Sequence, residues 1–113
     1  RTMPFEFGDI VLVPFPFTHQ NASKKRPAVV VSRRAYQQAR PDLVVMAVTS
    51  QVRSVSGFGE VRLEGWQTAN LLKPSVVKPV FATLEQSLVL RSLGSLNQSD
   101  QTALKKLISE ILG

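Results

Sequence analysis

The sequence predicts a mainly β, α+β fold: a small curled sheet or barrel plugged by one C-terminal helix. Short valine-rich runs between proline and glycine turns supply the strands, and one amphipathic stripe supplies the helix. The length agrees, since 113 residues, 43% of them hydrophobic, fill one core and not two. A single domain over 1–113 is therefore expected, with Arg1-Thr2 read as non-native residues ahead of a start at Met3.

Asp9–Phe15 is apolar and β-branched and predicts the first strand, with Pro14 and Pro16 marking its end. Pro16–Lys25 predicts a polar loop holding Thr18, His19, Gln20, Asn21 and Ser23. Pro27–Arg33 predicts a second strand, nearly continuous in valine as expected where both faces are covered. Pro27 is tolerable at the first position of a strand because no ladder donor is needed there. Ala35–Ala39 predicts a helical turn, and Asp42–Ser50 a third apolar strand.

Gln51–Gly59 carries two serines and two glycines and predicts a mobile loop. Glu60–Glu64 alternates polar and apolar residues, the pattern of a half-exposed strand. Trp66–Leu72 predicts a short helix before Pro74, and Ser75–Leu84 and Leu88–Leu96 the last strands, with Gly94 a bend. Asn97 is the expected cap of the terminal helix, with Asp100 in its electropositive first turn. Leu104, Leu107, Ile108 and Ile111 recur at helical spacing and form its apolar stripe.

Fourteen Lys and Arg against eight Asp and Glu give a net charge of +6 and a pI near 10.3. That balance favours polyanionic or acidic partners, nucleic acid first. The plainer reading is ordinary solubilising charge. With no cysteine, disulfides and thiolate metal sites are excluded, and the single histidine, His19, argues against a zinc site. No apolar run approaches the ~20 residues of a spanning helix. The amino terminus lacks the apolar core of a secretory signal, so a cytoplasmic location is expected.

The densest signal is Lys24-Lys25-Arg26-Pro27-Ala28-Val29-Val30-Val31-Ser32, where three adjacent cations lead into a strand. Gly8-Asp9-Ile10-Val11 precedes it, and Val48-Thr49-Ser50-Gln51 follows. In this order and spacing the chain resembles the MazF/PemK toxins of type II toxin–antitoxin modules. Leu71, Lys73-Pro74-Ser75-Val76 and the Asn97–Gly113 helix extend the resemblance over nearly the whole length. It implies an SH3-like small β-barrel of the MazF/PemK/CcdB type with a C-terminal α-helix. It also implies a homodimer that cuts single-stranded RNA at specific sequences, inhibiting translation and growth, and that an acidic cognate antitoxin restrains. Cleavage in the family needs no metal or other cofactor and leaves a 2′,3′-cyclic phosphate and a 5′-hydroxyl. The family's functional arginine falls on Arg26 and its functional threonine on Thr49.

The chemistry supports those two assignments. When a 2′-hydroxyl attacks its own phosphate, a protein must stabilise charge on the phosphorane and move two protons. Arg26 offers a planar fork of donors matched to phosphate oxygens and stays charged at any working pH. A pKa above ~12 makes it a poor proton shuttle. The Thr49 hydroxyl suits a hydrogen bond that fixes in-line geometry. Read alone, Arg26 could instead pair with Asp9 or Glu60, and Thr49 could be an ordinary strand-end residue.

Other candidates carry two readings each. His19, whose unperturbed pKa lies near neutrality, is either the general base or an exposed loop residue. Lys24 and Lys25 guide an RNA backbone or end a solvated loop. Phe17 is a stacking platform or a core anchor. Thr18, Ser50, Gln51 and Arg53 are candidate RNA contacts at the rim, whereas Trp66 reads as packing. The chain departs from the family in lacking a glycine and a glutamate in 18–23 and a polar pair at Lys78-Pro79-Val80, so no cut sequence transfers. The rival reading is a non-catalytic SH3-like module that binds nucleic acid or poisons a protein such as a topoisomerase. A third is a basic groove that mainly holds an acidic peptide.

Overall fold

The computed structural model describes residues 5–15, 24–50 and 57–113. Six strands form one antiparallel sheet in the order β4-β5-β3-β2-β1-β6. They are β1 (Asp9–Phe15), β2 (Lys24–Val30), β3 (Asp42–Thr49), β4 (Val61–Arg62), β5 (Val76–Glu85) and β6 (Arg91–Ser95). A short helix α1 (Arg34–Ala39) joins β2 to β3, a 3-10 turn (Gln86–Leu88) joins β5 to β6, and α2 (Gln98–Leu112) closes the fold. This is the mainly β architecture with a C-terminal helix that the sequence predicts.

Alternation along the strands buries both faces of the sheet. Ile10, Val29, Met46, Val48 and Val77 point to one face, where Leu63, Ala69, Leu96, Leu104 and Leu107 complete a core beneath α2. Val11, Val13, Ala28, Val30, Val45 and Ala47 form a second cluster on the other face. The valine run in β2 is continuous because it must serve both. Register shifts at Ile10/Val11 and Met46/Val48 mark bulges, which raise the local twist and help a short sheet to curl.

The β1, β3 and α2 bounds agree with the sequence reading. Asn97 caps α2 by accepting from the Asp100 amide at 2.8 Å, and Leu104 and Leu107 are buried beneath its apolar stripe. The second strand does not: it starts at Lys24 and ends at Val30 rather than spanning Pro27–Arg33. Pairing with β1 continues through Pro14↔Lys25 and Phe15↔Lys24, so the two lysines belong to the sheet and not to a loop. Pro27 is interior to the strand, opposite Leu12, and is tolerated there because the β3 ladder begins only at Ala28. Past Val30 the chain turns away, and Ser32 is buried, donating to Gln37 Oε1 at 3.1 Å and accepting from the Val44 amide.

Three further expectations are corrected. β4 is only two residues long, since after Leu63 the backbone leaves the sheet to meet α2. Trp66–Leu72 is a tight turn rather than a helix, and β6 starts at Arg91 because Gln86–Leu88 takes up the 3-10 turn. Of the loop expected over Gln51–Gly59, residues 51–56 lie outside the described residues.

Candidate functional site

The β2–β3 ladder covers Ala28–Val30 opposite Val45–Ala47 and goes no further. Beyond it the arms Lys24–Pro27 and Val48–Ser50 flank a cavity of about 550 Å³. That lies within the ~300–1,000 Å³ range of small-ligand clefts. Sheet register explains its floor: Arg91 faces Leu12 and Leu12 faces Pro27, so one cross-strand row runs from β6 to β2. Val48, beyond the last β2–β3 pair, lines the same floor. Leu71 and Leu93 complete an apolar base.

The rim is cationic. Lys24, Lys25, Arg26, Lys73 and Arg91 all line the cavity, and its described lining includes no carboxylate. An apolar base under five cations has the character of a surface for a chain of phosphates carrying flat, apolar-faced groups. Three carboxylates elsewhere pair with cations: Glu60 takes Lys78 Nζ at 2.7 Å and Asp42 takes Arg40 at 3.5 Å, and Arg34 pairs with Glu6.

Arg26 and Thr49 enter the lining from the strand ends. On its strand each adjoins a floor residue, Arg26 preceding Pro27 and Thr49 following Val48. Arg26 is only half-exposed and its Nε is buried, so the guanidinium is carried on a stem fixed by the sheet. Of the carboxylates considered for Arg26, Asp9 lies four residues along β1 from Val13, the residue facing Arg26. That is about 13 Å of extended chain. Asp9 instead accepts from the Glu6 amide at 2.9 Å and the Ser95 hydroxyl at 3.1 Å. Glu60, besides its ion pair, accepts from the Gly57 amide at 3.0 Å.

Lys24, Lys25 and Ser50 join Arg26 and Thr49 around the cavity. Phe17, Thr18, His19, Gln51 and Arg53 lie outside the described residues. Trp66 packs partly buried against the core, as its sequence context suggests.

The sequence reading places Leu71, Lys73 and Ser75 in the family resemblance but assigns the opposite wall no site role. Asn70, Leu72, Lys73 and Arg91 line it, and Leu72 is 93% exposed at its edge. The wall begins as a Schellman motif: Leu71 N bonds Trp66 O, Asn70 N bonds Gln67 O, and Asn70 adopts φ 63°. The Asn70 amide group then donates to Leu93 O in β6 at 2.6 Å. At the root of the turn, buried Asp100 accepts from the Glu64 amide at 3.1 Å and the Gly65 amide at 2.8 Å. Two glycines are crowded, Gly94 by backbone and Gly65 by a side chain. A Cβ on Gly94 would lie 2.7 Å from Ala69 O, and one on Gly65 would lie 2.3 Å from Asn97 Nδ2. One signal for this wall was visible, since Arg91 is the sole charged residue between Glu85 and Asp100.

Among the described residues no helix is long and apolar enough to cross a membrane. A comparison with curated proteins finds no match. Solved structures do match. MazF of Deinococcus radiodurans superposes with a TM-score of 0.75 at 23% identity, covering 99% of both chains. Toxin MazF-mt6 of Mycobacterium tuberculosis gives 0.71 at 23% identity, covering 90% of this chain and 93% of that one. An endoribonuclease from a mycobacterial species, in complex with its cognate antitoxin, gives 0.74 at 17% identity over 96% and 94%. At such identities the likeness is one of fold, and it matches the expected small β-barrel with a C-terminal helix. Sequence carries the rest: residues 6–112, which include both cavity walls, match the family of PemK-like, MazF-like toxins of type II toxin–antitoxin systems, and the chain belongs to it.

Proposed function

We propose that this toxin is a metal-independent endoribonuclease acting on single-stranded RNA. The observation that carries the reading is the cavity itself. Five cations and no described carboxylate surround an apolar base, a donor set made for phosphates rather than for a divalent cation.

In this reading the RNA backbone crosses the mouth of the cavity at the β2 and β3 ends. The substrate's 2′-hydroxyl gives up its proton and attacks the adjoining phosphorus, the P–O5′ bond breaks, and the departing 5′-oxygen takes a proton from solvent, leaving a 2′,3′-cyclic phosphate and a 5′-hydroxyl. The Arg26 guanidinium donates to the nonbridging oxygens as charge builds on the phosphorane. One such preorganised donor is worth about 3 kcal/mol in the transition state. Thr49 holds a phosphate oxygen so that attacking and leaving oxygens stay in line. Lys24, Lys25 and Ser50 hold the flanking strand, with Phe17, Thr18, Gln51 and Arg53 as further RNA contacts. His19 is the candidate to take the 2′-hydroxyl proton, since arginine is too basic to do so. The chain works as a homodimer in the cytoplasm, folded as a single domain, and an acidic antitoxin competes for the same cationic rim.

The test is cleavage of a single-stranded RNA by purified protein in EDTA, with end-group analysis of the products. We expect cyclic phosphate ends, and a fall of about 10²-fold or more in rate for Arg26→Ala without loss of the fold. Undiminished cleavage by Arg26→Ala would remove that residue from the mechanism. Intact RNA that still binds in a salt-dependent way would favour a non-catalytic binding module instead.

A further inference from the structure

We propose that Arg91 and Lys73 form a second phosphate subsite on the wall facing Arg26. The RNA strand would then be gripped on both sides of the apolar floor. The inference rests on the endoribonuclease reading for the identity of its ligand. Its warrant is the placement of two cations that the proposed chemistry leaves idle.

Both cations are set on a fixed frame. Arg91 shares the cross-strand row with Leu12 and Pro27, two strand spacings from the residue that follows Arg26. That separation is about 10 Å between backbones. Arg26, Lys25 and Arg91 all line that one cavity, so they can hold neighbouring phosphates of one strand. Lys73 sits just past the Schellman turn, and the Ser75 hydroxyl holds its carbonyl at 2.8 Å. The Asn70–Leu93 bond ties that turn to β6 two residues from Arg91, so the two cations belong to one rigid wall.

Their pairing state points the same way. Among the described residues, no carboxylate pairs with Arg91 or Lys73, whereas Arg34, Arg40 and Lys78 each have one. Two like charges lining one cavity repel each other, and an anion bound between them relieves that repulsion. Both side chains are exposed, so neither is held there by burial. Leu72, fully exposed between the turn and Lys73, supplies an apolar edge against which a base can lie.

The experiment measures binding of a fluorescent, uncleavable 2′-O-methyl oligonucleotide as a function of salt. Arg91→Ala and Lys73→Ala should each weaken binding about three- to tenfold at low salt. Each should also flatten the log–log salt slope by about 0.7, the value for one single-strand phosphate contact. Arg91→Lys should restore the slope, and with cleavable RNA the losses should fall in KM rather than in kcat. Lys106→Ala, an exposed cation on α2 away from the cavity, is the control for net charge and should leave the slope as it was. Melting curves for all variants check the fold. Slopes unchanged by Arg91→Ala and Lys73→Ala, or changed equally by Lys106→Ala, overturn the subsite. So does a polyglutamate peptide whose binding needs Arg91 while RNA binding does not. A wild-type protein that leaves RNA whole but shows the predicted slopes would overturn the ribonuclease reading and keep the subsite.

Discussion

The two walls of the cavity are built in opposite ways. Arg26 and Thr49 stand at strand ends whose positions follow from β-ladders, most of them to neighbouring strands in sequence. The Asn70–Lys73 wall belongs to no strand or helix. It is held by single bonds from far along the chain: Asp100 to Glu64 and Gly65, and Asn70 to Leu93. A ladder distributes its support over many pairs, whereas a pinned turn concentrates it in a few groups. Substitutions beneath the Asn70–Lys73 wall should therefore damage stability and substrate grip together. Substitutions of Arg26 and Thr49 should damage chemistry with little change in stability.

The sharpest way to break that contrast is Asp100→Ala. Removing the carboxylate leaves the Glu64 and Gly65 amides without their acceptor at a part-buried site and strips the first turn of α2 of its one acidic residue. Buried amides left unsatisfied cost about 1–3 kcal/mol each, so a total of about 3 kcal/mol is expected. Thermal melting should show a Tm drop on the order of 10 °C. Asp100→Asn, which retains one acceptor oxygen, should fall between. A Tm within a degree or two of wild type would mean that the turn is held by packing alone.

Gly94→Ala comes next. Its new methyl meets the Ala69 carbonyl, which is backbone and cannot swing aside as a side chain would. Either β6 or the 65–71 turn must shift, at about 1–3 kcal/mol for overpacking. Because β6 also carries Arg91, the same change should weaken binding of single-stranded RNA. Melting and binding measured on one preparation would separate the two effects. A stable Gly94→Ala protein with full affinity would show that the wall has slack and that the contact does not set its position.

The same asymmetry decides what the sequence makes visible. Apolar, β-branched runs mark β1 and β3, and the Asn97–Asp100 spacing with its leucine stripe marks α2, because those signals are local. The ordered motifs around Arg26 and Thr49 draw attention to two residues that the structure brings to one cavity. The start of β2 was misplaced because three cations look like a loop, while the pairing that makes Lys24 and Lys25 a strand comes from β1. The far wall is harder still. Asp100 reads as a helix-dipole residue, and nothing near it announces that its oxygens grip amides 35 and 36 residues away. Gly94 reads as a bend, although its role is to let Ala69 approach. Residues that touch through distant register leave no mark in any short window.

Asn70 offers the finest test, because one residue does two separable things there. Its backbone adopts the left-handed conformation that ends the turn, and its side chain holds Leu93 O. Asn70→Gly keeps the conformation easily and loses only the side-chain bond. Asn70→Ala loses the bond and also bears the left-handed strain of about 1–2 kcal/mol. If the turn's shape alone fixes Lys73, Asn70→Gly should melt and bind RNA like wild type, and only Asn70→Ala should suffer. If the tie to β6 is what joins Lys73 and Arg91 into one wall, both variants should lose affinity alike, and Asn70→Gly should do so with the smaller loss of Tm. We expect the second pattern: the Leu93 bond spans the turn and β6 at 2.6 Å, and no other described hydrogen bond links residues 70–73 to that strand.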